Sequence, residues 1–179
     1  FIPLRPALLA AATLESNSRA IILSVARRCS EVVFDNINLV GDYEKWKGYG
    51  QSKCALLLAA EEIDRRYSSQ GLRAFSAQPV VSRVDFYIYI KEEQSRILDN
   101  PILVPQIKSA EQGAATSTWA AVSKSLEGMG GIYLENVQIS KAWNPAEGNW
   151  APGYALHAYR PEGKRRLFNL SLELVGEKK

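Results

Sequence analysis

Apolar residues at helical spacing alternate along the chain with short runs that are wholly apolar. Leu4, Leu8, Leu9 and Ala12 recur at helical spacing, which predicts an amphipathic helix at the start. The run at residues 20–23 (AIIL) is short and contains β-branched residues. Such a run is typical of a strand that is buried on both faces of a parallel sheet. The chain therefore opens as a helix followed by a buried strand.

A long helix and a second strand are predicted next. Residues 46–69 are mostly strong helix formers. Their predicted apolar stripe consists of Ala55, Leu56, Ala59, Ala60 and Ile63. Gly71 follows, and glycine commonly ends helices because it accepts a left-handed backbone. Residues 72–77 (LRAFSA) then predict a strand.

The second half of the chain continues the alternation. Residues 84–90 (VDFYIYI) fit either a strand or a helix. Ser109 predicts the N-cap of a helix over residues 109–126, with Gln112 as its capping-box partner. Residues 132–139 predict one further strand, and residues 167–175 a closing helix. The order of elements predicts an α/β fold with a parallel sheet, right-handed crossovers and helices on both faces.

Composition narrows the functional classes. Twenty-two basic and nineteen acidic residues give a net charge of +3, too even a balance to indicate a nucleic-acid surface. No apolar run approaches the length of a membrane span. Two cysteines (Cys29 and Cys54) and one histidine (His157) predict neither a disulfide framework nor a metal site. A reducing, cytoplasmic setting is the simplest interpretation.

The pair Tyr49 and Lys53 is the main candidate for chemistry. Side chains four residues apart lie on one face of a helix, so the phenol and the ammonium can face the same cleft. A nearby cation favours phenolate over phenol and suits a tyrosine to donate and accept protons. Reduction of a carbonyl by hydride needs such a group to protonate the developing alkoxide. Solvent-facing residues at a helix start are the alternative interpretation.

Two other pairs in the chain have the same spacing, Tyr43 with Lys47 and Tyr87 with Lys91. Neither of them opens a long amphipathic helix that follows a buried strand. Ser24 adds to the distinction, because it ends that strand, and ligands of open α/β sheets bind at the carboxyl ends of strands. A serine there could hold a substrate carbonyl beside the tyrosine, although a lone serine is otherwise a local turn former.

Several stretches together are similar to the short-chain dehydrogenase/reductase family. They are residues 18–26 (SRAIILSVA), 34–39 (FDNINL) and 49–53 (YGQSK), with later support from 111–115 (EQGAA), 131–136 (GIYLEN) and 150–154 (WAPGY). The chain most resembles the branch of the retinol dehydrogenases and the WW-domain-containing oxidoreductases. That resemblance implies the carboxyl-terminal half of a Rossmann-like, doubly wound sheet, with residues 1–179 forming one catalytic and substrate-binding domain.

The resemblance also implies a role for each candidate residue. Tyr49 would be the acid/base, Lys53 would orient the nicotinamide ribose and tune the tyrosine, and Ser24 would polarise the carbonyl. The cofactor would be NADP or NAD, with Pro79 and Val80 beside its nicotinamide end. The substrate would be a small carbonyl or alcohol, against Phe86 and its aromatic neighbours.

The chain departs from the family pattern in three places. The family usually has Pro-Gly after the second strand and a threonine a few residues on, where this chain has Pro79-Val80 and Val84. A β-branched residue cannot cheaply take the positive φ that a glycine there would allow. Leu23 replaces the polar residue that usually precedes the serine. The glycines at 128, 130 and 131 lie between a helix and a strand, which is the wrong order for a pyrophosphate cradle.

These departures leave alternatives open. The chain starts at Phe1, so we expect the phosphate-binding half to lie upstream and the isolated chain to be inactive. A truncated, non-catalytic remnant that binds a partner is the second hypothesis, and an extended-type sugar-nucleotide epimerase is a third. A homodimer through the helix at 46–69 would be usual for the family. We also expect Trp46 to be a core or loop anchor, and His157 offers a less favoured second acid/base.

Overall fold

A parallel sheet organises the computed structural model, which describes residues 1–26, 30–79, 99–101, 104–148, 151–159 and 161–177. The sheet has four strands in the order β1-β2-β3-β4. These are β1 (Ser18–Leu23), β2 (Leu72–Gln78), β3 (Ile132–Glu135) and β4 (Gln138–Ile139). The first three are parallel, and β4 is antiparallel to β3.

Helices cover both faces of this sheet. They are α1 (Arg5–Ala10), α2 (Lys45–Tyr67), α3 (Ala110–Val122) and α4 (Pro161–Leu174). Side chains along β2 alternate between the two faces, as the pleat of a strand requires. Ala74 packs in one cluster with residues of α2 and α4, whereas Phe75 packs on the other side with Ala120 of α3. The predicted α/β architecture is therefore confirmed.

Local signals in the sequence set both ends of α2. The carboxylate of Glu44 accepts the backbone N–H groups of Trp46 and Lys47, each at 2.9 Å, and caps the first turn. These hydrogen bonds lower the pKa of Glu44. The chain leaves the helix through a short 3₁₀ turn and Gly71, whose φ is +82°. A side chain at that position would meet Ala12 at 2.6 Å, so glycine is required on two counts.

The apolar stripe predicted for α2 is only partly correct. Ala60 and Ile63 are buried, but the other three predicted positions are half-buried. The helix instead buries three carboxylates, those of Glu61, Glu62 and Asp64. The reason is that α2 packs against α4 as well as the sheet, so a larger part of its surface is covered.

Each of the three carboxylates has a basic partner, as burial of charge requires. Glu62, which is completely buried, accepts hydrogen bonds from Arg65 and Arg66 at 2.7 Å. Glu61 pairs with Lys164 of α4 at 3.0 Å, and Asp64 pairs with Arg73 of β2 at 3.1 Å. The pairs of Glu61 and Asp64 connect α2 to the elements on either side of it, whereas those of Glu62 lie within the helix.

Predictions about one strand and two helix ends are only partly correct. Apolar clusters pack on both faces of β1, as predicted, but the strand is half-buried and Leu23 is 46% exposed, because among the described strands β1 pairs with β2 alone. The predicted capping box at Ser109 is confirmed, but α3 ends at Val122, where Ser123 turns extended. The closing helix begins at residue 161, earlier than the predicted 167.

The stretch at residues 132–139 is a hairpin and not a single strand. Asn136 and Val137 form its turn, with φ of +54° and +58°. Asparagine tolerates this left-handed backbone, whereas a β-branched valine does so only with strain. The buried hydroxyl of Thr116 accepts the Val137 N–H at 3.2 Å and holds the turn against α3. The residues at 84–90 lie outside the described part of the chain.

Candidate active site at the carboxyl edge of the sheet

The predicted site residues lie at one edge of the sheet, where the parallel strands end. Ser24 directly follows β1, and Pro79 directly follows β2. Helix α2 begins at this carboxyl edge, because a crossover helix starts near the end of the strand before it and runs back along the sheet. Tyr49 and Lys53 therefore lie in the first turns of α2, at the edge where open α/β sheets bind ligands.

Ser24 is buried and holds β1 to α2. It is 1% exposed, and its backbone N–H donates to Ala77 O at 3.0 Å, which continues the pairing of β1 with β2. Its hydroxyl donates to the backbone carbonyl of Lys53 at 2.6 Å. The side chain is thus directed at the turn of α2 that carries the candidate lysine. To donate to a substrate carbonyl, this hydroxyl would have to rotate away from Lys53.

Tyr49 and Lys53 contact one another as the helical spacing predicts. The Lys53 ammonium lies 5.6 Å from the centroid of the Tyr49 ring. Both side chains are half-buried. The indole of Trp46 meets the Tyr49 ring edge-on, with ring centroids 6.1 Å apart and an interplanar angle of 84°. The phenol ring is therefore bordered by an indole one turn before it and by a cation one turn after it.

Trp46 is not the core residue that the sequence led us to expect. It is 47% exposed and packs on Tyr49, so it is not a core anchor. A spacing of three residues on a helix is the signal that could have identified this contact.

The Lys53 ammonium is partly desolvated. Burial lowers the pKa of the Lys53 ammonium below its ordinary value. Within the part of the chain that the structure describes, no carboxylate forms an ion pair with it. A half-buried ammonium of this kind can donate to neutral acceptors such as sugar hydroxyls, and it can stabilise negative charge that develops nearby.

The chain fits one end of a nicotinamide dinucleotide better than the other. A half-buried ammonium beside a phenol suits the ribose next to the nicotinamide. The glycines before β3 do not suit a pyrophosphate, because a side chain added at Gly130 would lie 1.9 Å from the carboxylate oxygen of Asp64. Gly130 is therefore needed for close packing on a buried aspartate, which would repel a phosphate.

The other tyrosine–lysine pair that the structure describes differs from the candidate pair. Tyr43 is 72% exposed, and Lys47 pairs with Asp42 ahead of α2. This pair has the solvent-facing character of the alternative interpretation. The third pair, Tyr87 with Lys91, lies outside the described residues.

Several other predicted site residues also lie outside the described part of the chain. They are Val80, Val84, Phe86 and Tyr89. Of the residues predicted beside the cofactor after β2, Pro79 alone is described.

His157 lies away from the candidate pair. It borders a cavity of about 510 Å³ together with Cys54 and Leu58 of α2 and residues of α4. Leu58 is nine positions after Tyr49, which places it roughly 180° around the helix. His157 therefore faces the opposite side of α2 and is not placed to exchange protons with Tyr49.

The described residues contain neither a metal-binding cluster nor a membrane-spanning helix. Within those residues, no group of three or more histidine, cysteine, aspartate or glutamate side chains is arranged to hold a metal ion. Of the helices in that part of the chain, none has the length and apolar character that a membrane crossing needs.

Comparison with known proteins identifies relatives along nearly the whole chain. No protein-family model matches it. It is 38% identical over 174 residues to "Short-chain dehydrogenase/reductase prx1" of Penicillium roqueforti, covering 96% of this chain and 51% of that protein. It is 24% identical over 155 residues to human "Retinol dehydrogenase 12", covering 87% of this chain and 44% of that one. The chain thus spans about half the length of the curated relatives it matches.

A solved structure shows the same fold. The crystal structure of an uncharacterized protein from Mycobacterium paratuberculosis superposes with a TM-score of 0.60 at 21% identity. The superposition covers 89% of this chain and 51% of that one. At this identity the likeness concerns the fold alone, and it agrees with the partial doubly wound sheet predicted from the sequence.

Proposed function

The chain belongs to the short-chain dehydrogenase/reductase family, in the branch that includes the retinol dehydrogenases, and we propose that it carries the catalytic and substrate-binding half of an NAD(P)-dependent oxidoreductase. The reaction is the interconversion of a small carbonyl compound and an alcohol by hydride transfer. The observation that supports it most is the contact of the Tyr49 ring with the Lys53 ammonium at the carboxyl edge of the sheet. Ser24 lies beside this pair and donates a hydrogen bond to the backbone carbonyl of Lys53.

Tyr49 is the proposed acid/base. In reduction its hydroxyl gives a proton to the alkoxide oxygen as that oxygen develops charge, and in oxidation it takes the proton back. The Lys53 ammonium, 5.6 Å from the ring centroid, stabilises the phenolate that remains. The half-buried setting strengthens this stabilisation, because water screens the two charges less than it does at an open surface.

Ser24 is the proposed group that orients the substrate carbonyl. Its hydroxyl donates to Lys53 O at 2.6 Å, so substrate binding must compete with a bond to the backbone. That backbone carbonyl lies within a helix and keeps its helical partner when the serine rotates. The exchange therefore leaves no buried backbone group without a hydrogen bond.

Tyr49, Lys53 and Pro79 are the described residues that we propose hold the nicotinamide end of NADP or NAD, with Val80 next in the chain. When bound, the cofactor supplies or accepts the hydride. Lys53 would donate to the ribose hydroxyls and so hold the ribose beside Tyr49. We propose that the pyrophosphate is held by a part of the protein outside these 179 residues.

The matched pairs in this chain allow a direct test of the function in the full-length protein. Tyr49→Phe should lower kcat for carbonyl reduction by ~10²–10⁴-fold, the usual contribution of a positioned acid/base. Cofactor affinity should change little, because Lys53 remains. Tyr43→Phe is the control, since this exposed tyrosine precedes α2, and its kcat should equal that of the parent. Turnover by Tyr49→Phe at the parent rate would refute the assignment.

A titration with NADPH and NADH separates the two main hypotheses. The full-length protein should bind one of them, whereas the isolated 179-residue chain should bind neither tightly. If the full-length protein also fails to bind both dinucleotides, the chain is a non-catalytic remnant and the proposed function is wrong.

We also propose a cytoplasmic location and a homodimer formed through α2. The low number of cysteines suits a reducing compartment. The half-buried residues Ala55, Leu56 and Ala59 of α2 offer an apolar strip for a second copy. Light scattering on Leu56→Glu, compared with the parent, tests the dimer: the parent mass should be twice that of the variant.

A further inference from the structure

A buried tyrosine outside the tyrosine–lysine–serine group connects the segment that follows Ser24 with the end of β2. Tyr133 lies on β3 and is 1% exposed. Its hydroxyl accepts the backbone N–H of Ala26 at 3.3 Å and donates to the side-chain carbonyl oxygen of Gln78. One phenolic oxygen therefore joins the segment after β1 to the last residue of β2.

The position of these two partners makes the connection relevant to the site. Ala26 is two residues beyond Ser24, and Gln78 directly precedes Pro79. In the sheet β2 lies between β1 and β3, so the side chain of Tyr133 reaches across the end of β2 to the loop beyond β1. The ladder between β1 and β2 ends with the bond from Ser24 N–H to Ala77 O, and the Tyr133 phenol continues the connection beyond it, at Ala26 and Gln78.

We infer that Tyr133 is a positioning residue for the proposed reaction, which restricts the movement of the segment after Ser24 relative to the end of β2 that precedes Pro79. The inference rests on the proposed function. Hydride transfer needs the two reactants in near-contact geometry, and a displacement of about 1 Å can cost ~10²-fold in rate. A phenol that bonds to Ala26 and to Gln78 restricts that displacement without touching either reactant.

Kinetics on the full-length protein test the positioning role. Tyr133→Phe keeps the ring and removes both hydrogen bonds. At a temperature where the variant is fully folded, kcat/KM for the carbonyl substrate should fall about tenfold or more. The pH dependence of kcat should be unchanged, because Tyr49 and Lys53 are intact. An unchanged kcat/KM would overturn the inference.

A matched variant separates positioning from a general loss of stability. Glu62→Gln removes the charge of a buried carboxylate that accepts hydrogen bonds from Arg65 and Arg66, roughly 20 Å from Tyr49 along the helix axis. It should lower the melting temperature and leave kcat/KM at the parent value. Both variants should lower the melting temperature, but only Tyr133→Phe should lower kcat/KM. If the control lowers kcat/KM as much as Tyr133→Phe does, Tyr133 is only structural and the inference fails.

A double-variant cycle tests whether the hydrogen bond from Tyr133 to Gln78 carries the effect on rate. Gln78→Met removes the acceptor, and the Tyr133→Phe/Gln78→Met protein should be no slower than the slower single variant. Fully multiplicative losses would show that the two side chains act separately and would contradict the inference.

Hydrogen exchange gives a readout that needs no turnover. In Tyr133→Phe the amide of Ala26 loses its acceptor and should exchange about tenfold faster or more, while amides at the amino end of β2 keep their protection. Unchanged exchange at Ala26 would overturn the inference even in an active enzyme. Faster exchange in a protein that reduces no carbonyl would show that Tyr133 holds the segment after Ser24 and that the proposed function is what fails.

Discussion

At the scale of single residues, Lys53 shows how stability and proposed chemistry oppose one another. Its ammonium is half-buried, and burial lowers its pKa, so the fold disfavours the charged form. The described residues offer it no carboxylate. Retention of a charge in such a place is typical of functional sites, where charge is arranged for the reaction and not for stability. The residue type and spacing were readable from the sequence, but this burial was not.

We predict that Lys53→Met makes the protein more stable and inactive. For a lysine whose pKa is lower in the fold than in the unfolded chain, stability rises as pH increases from the folded pKa towards 10.5. The methionine variant lacks this titration. Near pH 7 its melting temperature should exceed that of the parent by no more than roughly 2–4 °C, since water screens part of the penalty.

Differential scanning calorimetry between pH 7 and pH 11 measures this difference. The two melting temperatures should converge as the pH rises and Lys53 loses its proton. A variant that is less stable than the parent at pH 7 would show that Lys53 has a stabilising partner and would contradict the interpretation.

Other features of the residue scale could not be predicted, because they depend on contacts between distant parts of the chain. The bond from Ser24 to Lys53 O joins residues 29 apart, and the bond from Ala26 to Tyr133 joins residues 107 apart. Ser24 was predicted from its place at a strand end, but nothing in the sequence indicates that its hydroxyl bonds to the backbone. Tyr133 was recognised only as part of a family-like stretch.

At the scale of elements, α2 carries two adjacent glutamates whose environments act in opposite directions. Burial raises the pKa of Glu61 more than the contact with Lys164 lowers it. Burial alone would also raise the pKa of Glu62, but the hydrogen bonds from Arg65 and Arg66 outweigh it, and the pKa is lowered. One carboxylate therefore opposes folding at neutral pH, and the other supports it.

We predict opposite effects for Glu61→Gln and Glu62→Gln. Stability from a carboxyl with a raised pKa is lost as pH rises from 4.5 through the folded pKa, so Glu61→Gln should be at least as stable as the parent at pH 7. Stability from a carboxylate with a lowered pKa is present above 4.5, so Glu62→Gln should lose about 2 kcal/mol at pH 7, the usual contribution of charged hydrogen bonds. Each variant is the other's control.

Urea unfolding from pH 3 to pH 8 measures both effects. The Glu61→Gln curve should separate from the parent curve as the pH rises through 4.5. The Glu62→Gln curve should approach the parent curve as the pH falls below 4.5. A loss of similar size in both variants at pH 7 would contradict the assignment of opposite roles.

The hairpin of β3 and β4 leads to a separate prediction. Val137 is 44% exposed with φ +58°, so its side chain gains little from burial while its backbone is strained. Val137→Asn should stabilise the protein by about 1 kcal/mol, because asparagine accepts the left-handed region. Asn136→Val, which places the strain at the neighbouring position, should destabilise it. Urea unfolding of both variants checks this, and a destabilised Val137→Asn protein would contradict it.

Elements whose ends depend on local signals were predictable. The capping box of Ser109 with Gln112 and the glycine after α2 are determined within a few residues. The hairpin was missed because its turn is Asn-Val and lacks the usual Asn-Gly signal. The stripe of α2 was only partly predicted, because a sequence does not show that a second helix, α4, will cover acidic positions.

At the scale of the whole molecule, three parallel strands and the helices on both faces bring the candidate residues to one edge. Element order and strand ends were enough to predict this arrangement. The pairing of β1 with β2 alone, among the described strands, was not predictable from a run of apolar residues, because edge and central strands differ in their neighbours. The proposed function concerns the full-length protein. This chain spans about half the length of the relatives that it matches.

Transfer of deuterium from cofactor to product tests the central claim most directly. The full-length protein is given a carbonyl substrate and NADPH or NADH labelled with deuterium at the transferable position of the nicotinamide, and the alcohol is analysed by mass spectrometry. We predict one deuterium on the former carbonyl carbon of each alcohol formed, and ~10²–10⁴-fold slower incorporation by Tyr49→Phe. An unlabelled alcohol, or equal rates in parent and variant, would contradict the account.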